Sequence, residues 1–125
     1  MINFCARVVS GRRRHDHISD VLKELGWMSA KQLVEYHTVC AVRSVMITEH
    51  PECILGTIGA PVRQQHSHNT RHSDRHTVPR IRTEAGRRRL CYRGVSMMNR
   101  SRVHVNAPGY RAQLKRDIVG RTKSQ

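Results

Sequence analysis

The chain has 125 residues, with 23 Lys and Arg against nine Asp and Glu and a formal net charge of +14. One Trp, one Phe and three Tyr supply few large anchors for a core, so we expect a domain of marginal stability. The four cysteines form no CxxC pair, and no apolar run approaches the roughly 20 residues of a membrane span. These features argue against a membrane protein, a zinc ribbon and a disulfide scaffold. The N-terminus lacks a signal-peptide pattern, so we expect an intracellular protein, nuclear or cytoplasmic.

The positive charge is concentrated in the second half of the chain. Residues 62–125 carry 16 Lys and Arg against three acids, whereas residues 1–61 carry seven against six. Of the 23 basic residues, 19 are Arg, and the planar guanidinium group both binds phosphate through paired hydrogen bonds and stacks on bases. Such a half is typical of contact with a nucleic-acid backbone; the alternative is a solvated charged surface.

The first region, residues 1–61, is predicted to be helical. Two short helices are expected, over residues 2–10 and over residues 19–25, and Gly11 and Gly26 are placed to end them. The apolar residues of the first helix form i,i+4 pairs, which is the spacing of neighbours on one helical face.

The clearest helix is expected from about Ala30 to Thr48. Ser29 and Gln32 have the spacing of a capping box, and apolar residues then recur at three- and four-residue steps. We expect Trp27 to lie buried against this helix, and one further helical turn to follow Pro51.

Residues 62–77 are predicted to form a polar linker rich in His and Arg, because no apolar residue follows Val62 there. His68, His72 and His76 stand four apart, a spacing that would align three imidazoles on a helix for a metal. Ser and Asn between them disfavour a helix, so the prediction is a solvated loop with no metal site.

The third region, residues 78–125, is a basic segment that ends in a predicted helix. Partial period-two alternation over residues 78–82 and 90–95 allows a short β-hairpin that turns at residues 84–86. One face of the terminal helix is formed by Tyr110, Leu114 and Ile118. The predicted fold class is therefore mainly α and partly disordered: a small helical bundle, a basic loop, the hairpin and a C-terminal helix.

No catalytic constellation is evident in the sequence. His37 and Cys40 stand i,i+3 on the predicted long helix, but a Cys on an apolar face is usually packed and not nucleophilic. The carboxylates are scattered, without a pair placed for two metal ions, and there is no Gly-rich phosphate loop. We expect no enzymatic activity, no cofactor and no metal.

The candidate nucleic-acid ligands are the run of arginines after the first predicted helix and the arginines interleaved with apolar residues from Thr77 to Val95. They are Arg12, Arg13, Arg14, Arg80, Arg82, Arg87, Arg88, Arg89 and Arg93. Guanidinium groups on one side of a short hairpin would follow a phosphate backbone. Tyr92 is placed either to stack on a base or to pack beneath the hairpin.

Three stretches of the chain resemble the C-terminal end of reverse transcriptases encoded by LINE-type, non-LTR retrotransposons. They are ARVVSGRRRHDHISDVLKELGWMSAKQLVEYHTVCAV, NTRHSDRHTVPRIRTEAGRRRLCYRGVSMMN and APGYRAQLKRDIV. By this resemblance, residues 1–61 correspond to the thumb and the basic residues around Arg87 to the segment that follows it. The resemblance implies contact with RNA, DNA or their hybrid, and a polymerase palm as packing partner.

The sequence departs from that family in two ways. Met98 stands where the family has Trp. The aspartate-bearing palm motif is absent from these 125 residues, so the family's catalytic function is not expected in this chain. The prediction is a non-catalytic, nucleic-acid-binding fragment. The alternatives are an independent small basic RNA-binding protein, of the kind associated with ribosomes, and the product of a decayed element without function.

Overall fold

The computed structural model describes residues 1–65, 68, 71 and 73–121. This part of the chain is mainly helical, as predicted, and contains no sheet. In chain order the helices are α1 (Ile2–Ser10), α2 (Ser19–Glu24), α3 (Ala30–Thr48), α4 (Glu52–Leu55), α5 (Val62–Gln65), α6 (Glu84–Arg87), α7 (Leu90–Arg100) and α8 (Tyr110–Arg121). The chain divides into two compact units, Met1–Val34 and Glu35–Gln125.

The first unit is built on α1 and α2. Its buried core consists of Ala6, Val21 and Leu22. Gly11 ends α1 with φ 64°, and Gly26 follows α2 with φ 63°, a left-handed backbone that glycine adopts without a steric penalty. Both predicted helix stops are therefore confirmed.

Several large apolar side chains of the first unit face solvent. Phe4, Val8 and Val9 on α1 are 69%, 65% and 62% exposed, because α1 buries Ala6 instead of its larger side chains. Trp27 is 39% exposed, so the prediction that it is buried is wrong. The left-handed turn at Gly26 directs the chain away from α2, and the Trp27 amide donates to the Leu22 carbonyl at 2.8 Å.

The second unit is built around a core shared by α3, α7 and α8. Its buried residues are Val39, Val42, Val95, Met98, Tyr110, Leu114 and Ile118. The predicted bounds of α3 are confirmed, and so is its capping box: the Ser29 amide donates to Gln32 Oε1 at 2.8 Å, and the Gln32 amide donates to Ser29 Oγ at 3.4 Å. The predicted apolar face of α8 also lies in this core.

The predicted β-hairpin is wrong. The residues of its second strand belong to α7, and its turn is the short helix α6, where Thr83 Oγ1 accepts a hydrogen bond from the Gly86 amide at 3.2 Å. Alternation over a few residues does not distinguish a strand from a helix. The longer sequence does, because the buried residues Val95 and Met98 are three apart, and Met98 is eight residues from Leu90, which are spacings of one helical face. Burial of that face decides the conformation.

The ends of the predicted linker are held by backbone hydrogen bonds. Pro61 and His76 form an isolated antiparallel bridge, flanked by Val62 N–H donating to Arg75 O at 2.9 Å and by Thr77 N–H donating to Ala60 O at 3.2 Å. Five residues of this linker lie outside the described residues: His66, Ser67, Asn69, Thr70 and His72. The predicted row of three histidines therefore includes one residue whose position is not described.

Candidate nucleic-acid interface

Six of the predicted arginines lie on one stretch of the second unit, from Arg80 to Arg93. We call them the arginine segment: Arg80, Arg82, Arg87, Arg88, Arg89 and Arg93. All six are exposed. Arg80 and Arg82 flank Ile81, whose side chain lies against Gly86 of α6. Packing of the apolar residue between them therefore leaves both guanidinium groups in solvent.

The rest of the arginine segment surrounds the start of α7. Arg87 ends α6, Arg89 is the N-cap of α7 and Arg93 lies one turn further on. Arg88 Nε is 3.7 Å from Glu84 Oε1, with both side chains largely exposed, so this pair contributes little to stability. Within the described residues, the other arginines of the segment form no ion pair. The positive end of the α7 dipole adds to the attraction for anions there.

The remaining three predicted arginines belong to the first unit. Arg12, Arg13 and Arg14 follow α1 and are exposed. The Arg13 amide donates to Asp16 Oδ2 at 2.8 Å, which closes the turn and leaves the guanidinium groups in solvent. Tyr92, on α7 beside Arg93, is half-buried.

Two further arginines of the second unit have structural roles. Arg43 Nε donates to Val105 O at 2.7 Å, and Arg43 Cζ lies 4.3 Å above the ring of Tyr110. Arg121 is paired with Glu35 at 2.9 Å and with Asp117 at 2.6 Å. Their guanidinium groups are held by the fold, so they are not counted as nucleic-acid ligands.

A cleft of about 720 Å³ opens on the second unit, beside the end of α7. Its walls are the end of α3 at Met46 and Ile47, the segment 74–76, and the segment 98–106. Arg75, Arg100 and Arg102 line it and are exposed, and none of these three guanidinium groups is paired within the described residues. Asp74 is the carboxylate among the lining residues that the structure describes.

One side chain joins two walls of the cleft, the segment 74–76 and the segment 98–106. Asn99 Oδ1 accepts from the His76 amide at 3.0 Å, and Asn99 Nδ2 donates to the His76 carbonyl at 2.7 Å. His76 Nδ1 lies 3.0 Å from Gly59 O. Sequence reasoning missed this cleft. The two arginines Arg100 and Arg102 at the end of an amphipathic helix were a sequence signal for part of the cleft. The contribution of Arg75 depends on a long-range contact and has no such signal.

The cysteine and histidine considered as a nucleophile pair, Cys40 and His37, take part in packing contacts. Cys40 is half-buried against the core of the second unit, and the ring of His37 lies edge-on to Tyr36, with the ring centroids 5.2 Å apart. The described residues contain no group of three His, Cys, Asp or Glu side chains placed to bind a metal ion. None of the described helices combines the length and apolar character needed to cross a membrane.

Comparison with protein-family models, curated proteins and solved structures finds no match for this chain.

Proposed function

We propose that the chain binds nucleic-acid backbone without catalysis, chiefly through the arginine segment. The observation that carries this proposal is the exposure of six arginines on residues 80–93. Of these six, Arg88 alone forms an ion pair with a described residue. Unpaired guanidinium groups bind phosphate without first breaking an internal contact. Backbone contacts of this kind carry no sequence information, so we expect weak sequence preference.

The resemblance to LINE-type reverse transcriptases supports the same role. In that setting the arginines would hold template or primer while a separate palm performs the chemistry. The described residues give no support for metal-dependent polymerisation, since they contain no group of three His, Cys, Asp or Glu side chains placed to bind a metal ion, and two-metal catalysis needs carboxylates that hold both ions. Primer extension with Mg²⁺ or Mn²⁺ should give no incorporation by the purified chain.

A salt titration with matched variants tests the binding proposal. Each phosphate contact contributes about −0.9 to the slope of log affinity against log salt for duplex DNA, and about −0.7 for single strands. The triple variant Arg87→Ala, Arg89→Ala, Arg93→Ala should therefore make the slope shallower by about 2 to 3.

The matched control removes three charges from another surface of the same unit. This α8 triple variant carries substitutions on the exposed side of α8, namely Arg111→Ala, Lys115→Ala and Arg116→Ala. It should change the slope of log affinity against log salt by less than about 1. A wild-type affinity that does not respond to salt would refute the proposal. Equal slope changes in the two triple variants would show that the arginine segment has no special part in binding.

A further inference from the structure

We propose that the cleft beside the end of α7 binds one unpaired nucleotide of a single-stranded nucleic acid. The inference rests on the proposed nucleic-acid function and adds a second site, separate in sequence from the arginine segment. In this site the base enters the cleft, and the flanking phosphates lie on arginines at its rim.

The size and lining of the cleft suit a base. Its volume of about 720 Å³ is within the range of roughly 300 to 1,000 Å³ that is typical of small-ligand sites. Met98 is buried, and Val103 and Val105 are half-buried; together they provide apolar surface in the lining. A planar base covers such a surface, while its polar edges need hydrogen-bonding groups nearby.

The charge of the cleft suits phosphate. Arg75, Arg100 and Arg102 are exposed lining residues, so three positive charges are set against the carboxylate of Asp74. Guanidinium groups bind phosphate oxygens through paired hydrogen bonds and also stack on bases. A neutral or cationic small molecule would leave this excess positive charge uncompensated.

Two histidines in the lining of the cleft, His76 and His104, offer the edge of a base one hydrogen-bond acceptor and one donor. The Asn106 amide donates to Nδ1 of His104 at 3.2 Å, which places the proton of the neutral ring on Nε2 and makes that atom a donor. His76 Nδ1 lies 3.0 Å from the Gly59 carbonyl, so Nδ1 donates there and Nε2 is an acceptor. Imidazole rings also stack on unpaired bases.

Hydrogen bonds hold the backbone on two sides of the cleft. Arg75 O accepts from Val62 N–H at 2.9 Å. On the opposite wall Val103 N–H donates to Ser101 Oγ at 3.2 Å, and Val105 O accepts from Arg43 Nε at 2.7 Å. A wall that is already ordered loses less conformational entropy on binding. Duplex DNA does not offer a base to this cleft, because its bases are stacked and paired.

Fluorescence anisotropy with two matched double variants tests the proposal. The probes are labelled oligo-rU and oligo-dT of about twelve nucleotides, a strand of equal length made of abasic sites, and a duplex of equal length. The cleft variant is Arg100→Ala with Arg102→Ala, and the control is Arg111→Ala with Lys115→Ala on α8. All four substituted side chains are exposed, so both variants should fold.

The cleft variant should lose about tenfold or more in affinity for oligo-rU or oligo-dT, since one stacked base alone is worth roughly that much. It should lose about twofold or less for duplex and for the abasic strand, because without an unpaired base to enter the cleft neither probe brings its phosphates to these two arginines. The control should show no such difference between probes. The comparison of oligo-rU with oligo-dT identifies whether RNA or DNA is the preferred source of the nucleotide. In amide NMR spectra of the wild type, uridine monophosphate should shift the signals of residues 99–106.

Two failures are distinguishable. If the cleft variant loses the same factor on all four probes, or if uridine monophosphate shifts no signal of residues 99–106, the cleft proposal is wrong. The proposed function still stands in that case, provided that the wild type binds duplex with a steep salt dependence. If the wild type binds none of the probes, the proposed function itself is wrong.

Discussion

Tyr110 places a hydroxyl group inside the core of the second unit. Its side chain is buried, and the hydroxyl has no hydrogen-bond partner among the described residues. The ring itself stabilises the fold, because it packs in the core and forms a cation–π contact with the guanidinium group of Arg43. Burial raises the pKa of Tyr110, and the electrostatic interaction with Cys40 raises it further.

Tyr110→Phe is expected to raise the free energy of unfolding by about 1 kcal/mol. A buried polar group without a partner costs roughly 1 to 3 kcal/mol, and phenylalanine keeps the ring while removing that group. Urea unfolding followed by circular dichroism measures the change. A loss of more than about 1 kcal/mol would mean that the hydroxyl has a partner, such as a bound water.

The same variant should also alter the response to alkaline pH. Below the ordinary tyrosine pKa of about 10 the phenol is neutral in both states and adds nothing to the pH dependence. Above that value the unfolded chain ionises first, because the folded pKa is raised, so stability falls as the pH rises through this range. Tyr110→Phe should make the fall shallower than in the wild type. Parallel curves would show that Tyr110 ionises normally in the folded state.

Helix α7 approaches α3 at a glycine. A methyl group added at Gly94 would lie 2.5 Å from Val42 Cγ2 and 3.2 Å from Leu90 Cδ1, and Val42 is fully buried. The two helices therefore pack closely because position 94 has no side chain. Gly120 on α8 offers a natural comparison, because a methyl group there would meet nothing within 4 Å.

Gly94→Ala should destabilise the protein by up to about 2 kcal/mol. Overpacking costs roughly 1 to 3 kcal/mol, and about 1 kcal/mol is returned by the better helix propensity of alanine. Gly120→Ala should be neutral or should stabilise by up to about 1 kcal/mol. Urea unfolding of both variants decides the matter, and equal effects at the two positions would argue against the close approach of α7 and α3.

Local signals predicted part of the fold. The capping box at Ser29 gave the bounds of α3, because its hydrogen bonds join residues three apart. The face of α8 followed from four-residue spacing alone. Helix α7 was missed because a six-residue window allowed alternation, whereas burial against Val42 decides the helix. The bridge between Pro61 and His76 has no local signal, since it depends on residues far apart in sequence.

At the scale of the whole molecule, the charge pattern predicted which side chains are exposed better than it predicted the fold. All nine predicted arginines are exposed, because a charged group without a partner is costly to bury. Counting charges did not separate Arg43 and Arg121, which the fold holds in place, from arginines free to bind phosphate. It also missed the cleft, because Arg75 and Arg102 are brought to one cavity by long-range contacts.

Self-repulsion of the excess positive charge should make stability rise with salt. The chain carries a formal net charge of +14, and such an excess destabilises a compact state. Raising sodium chloride from about 0.01 to 0.15 M shortens the screening length from roughly 30 to 8 Å, so we expect a higher Tm, by roughly 2–8 °C for each kcal/mol gained.

The two triple variants provide the control for this last prediction. Arg87→Ala, Arg89→Ala, Arg93→Ala and the α8 triple each remove three charges, and long-range repulsion depends mainly on that number. Both should therefore reduce the salt-induced rise in Tm by a similar amount, although they are expected to differ in nucleic-acid binding. Thermal melts at several salt concentrations measure the effect. A Tm that falls with salt would mean that ion pairs, such as Arg121 with Glu35 and Asp117, outweigh the repulsion, because screening weakens attraction as well.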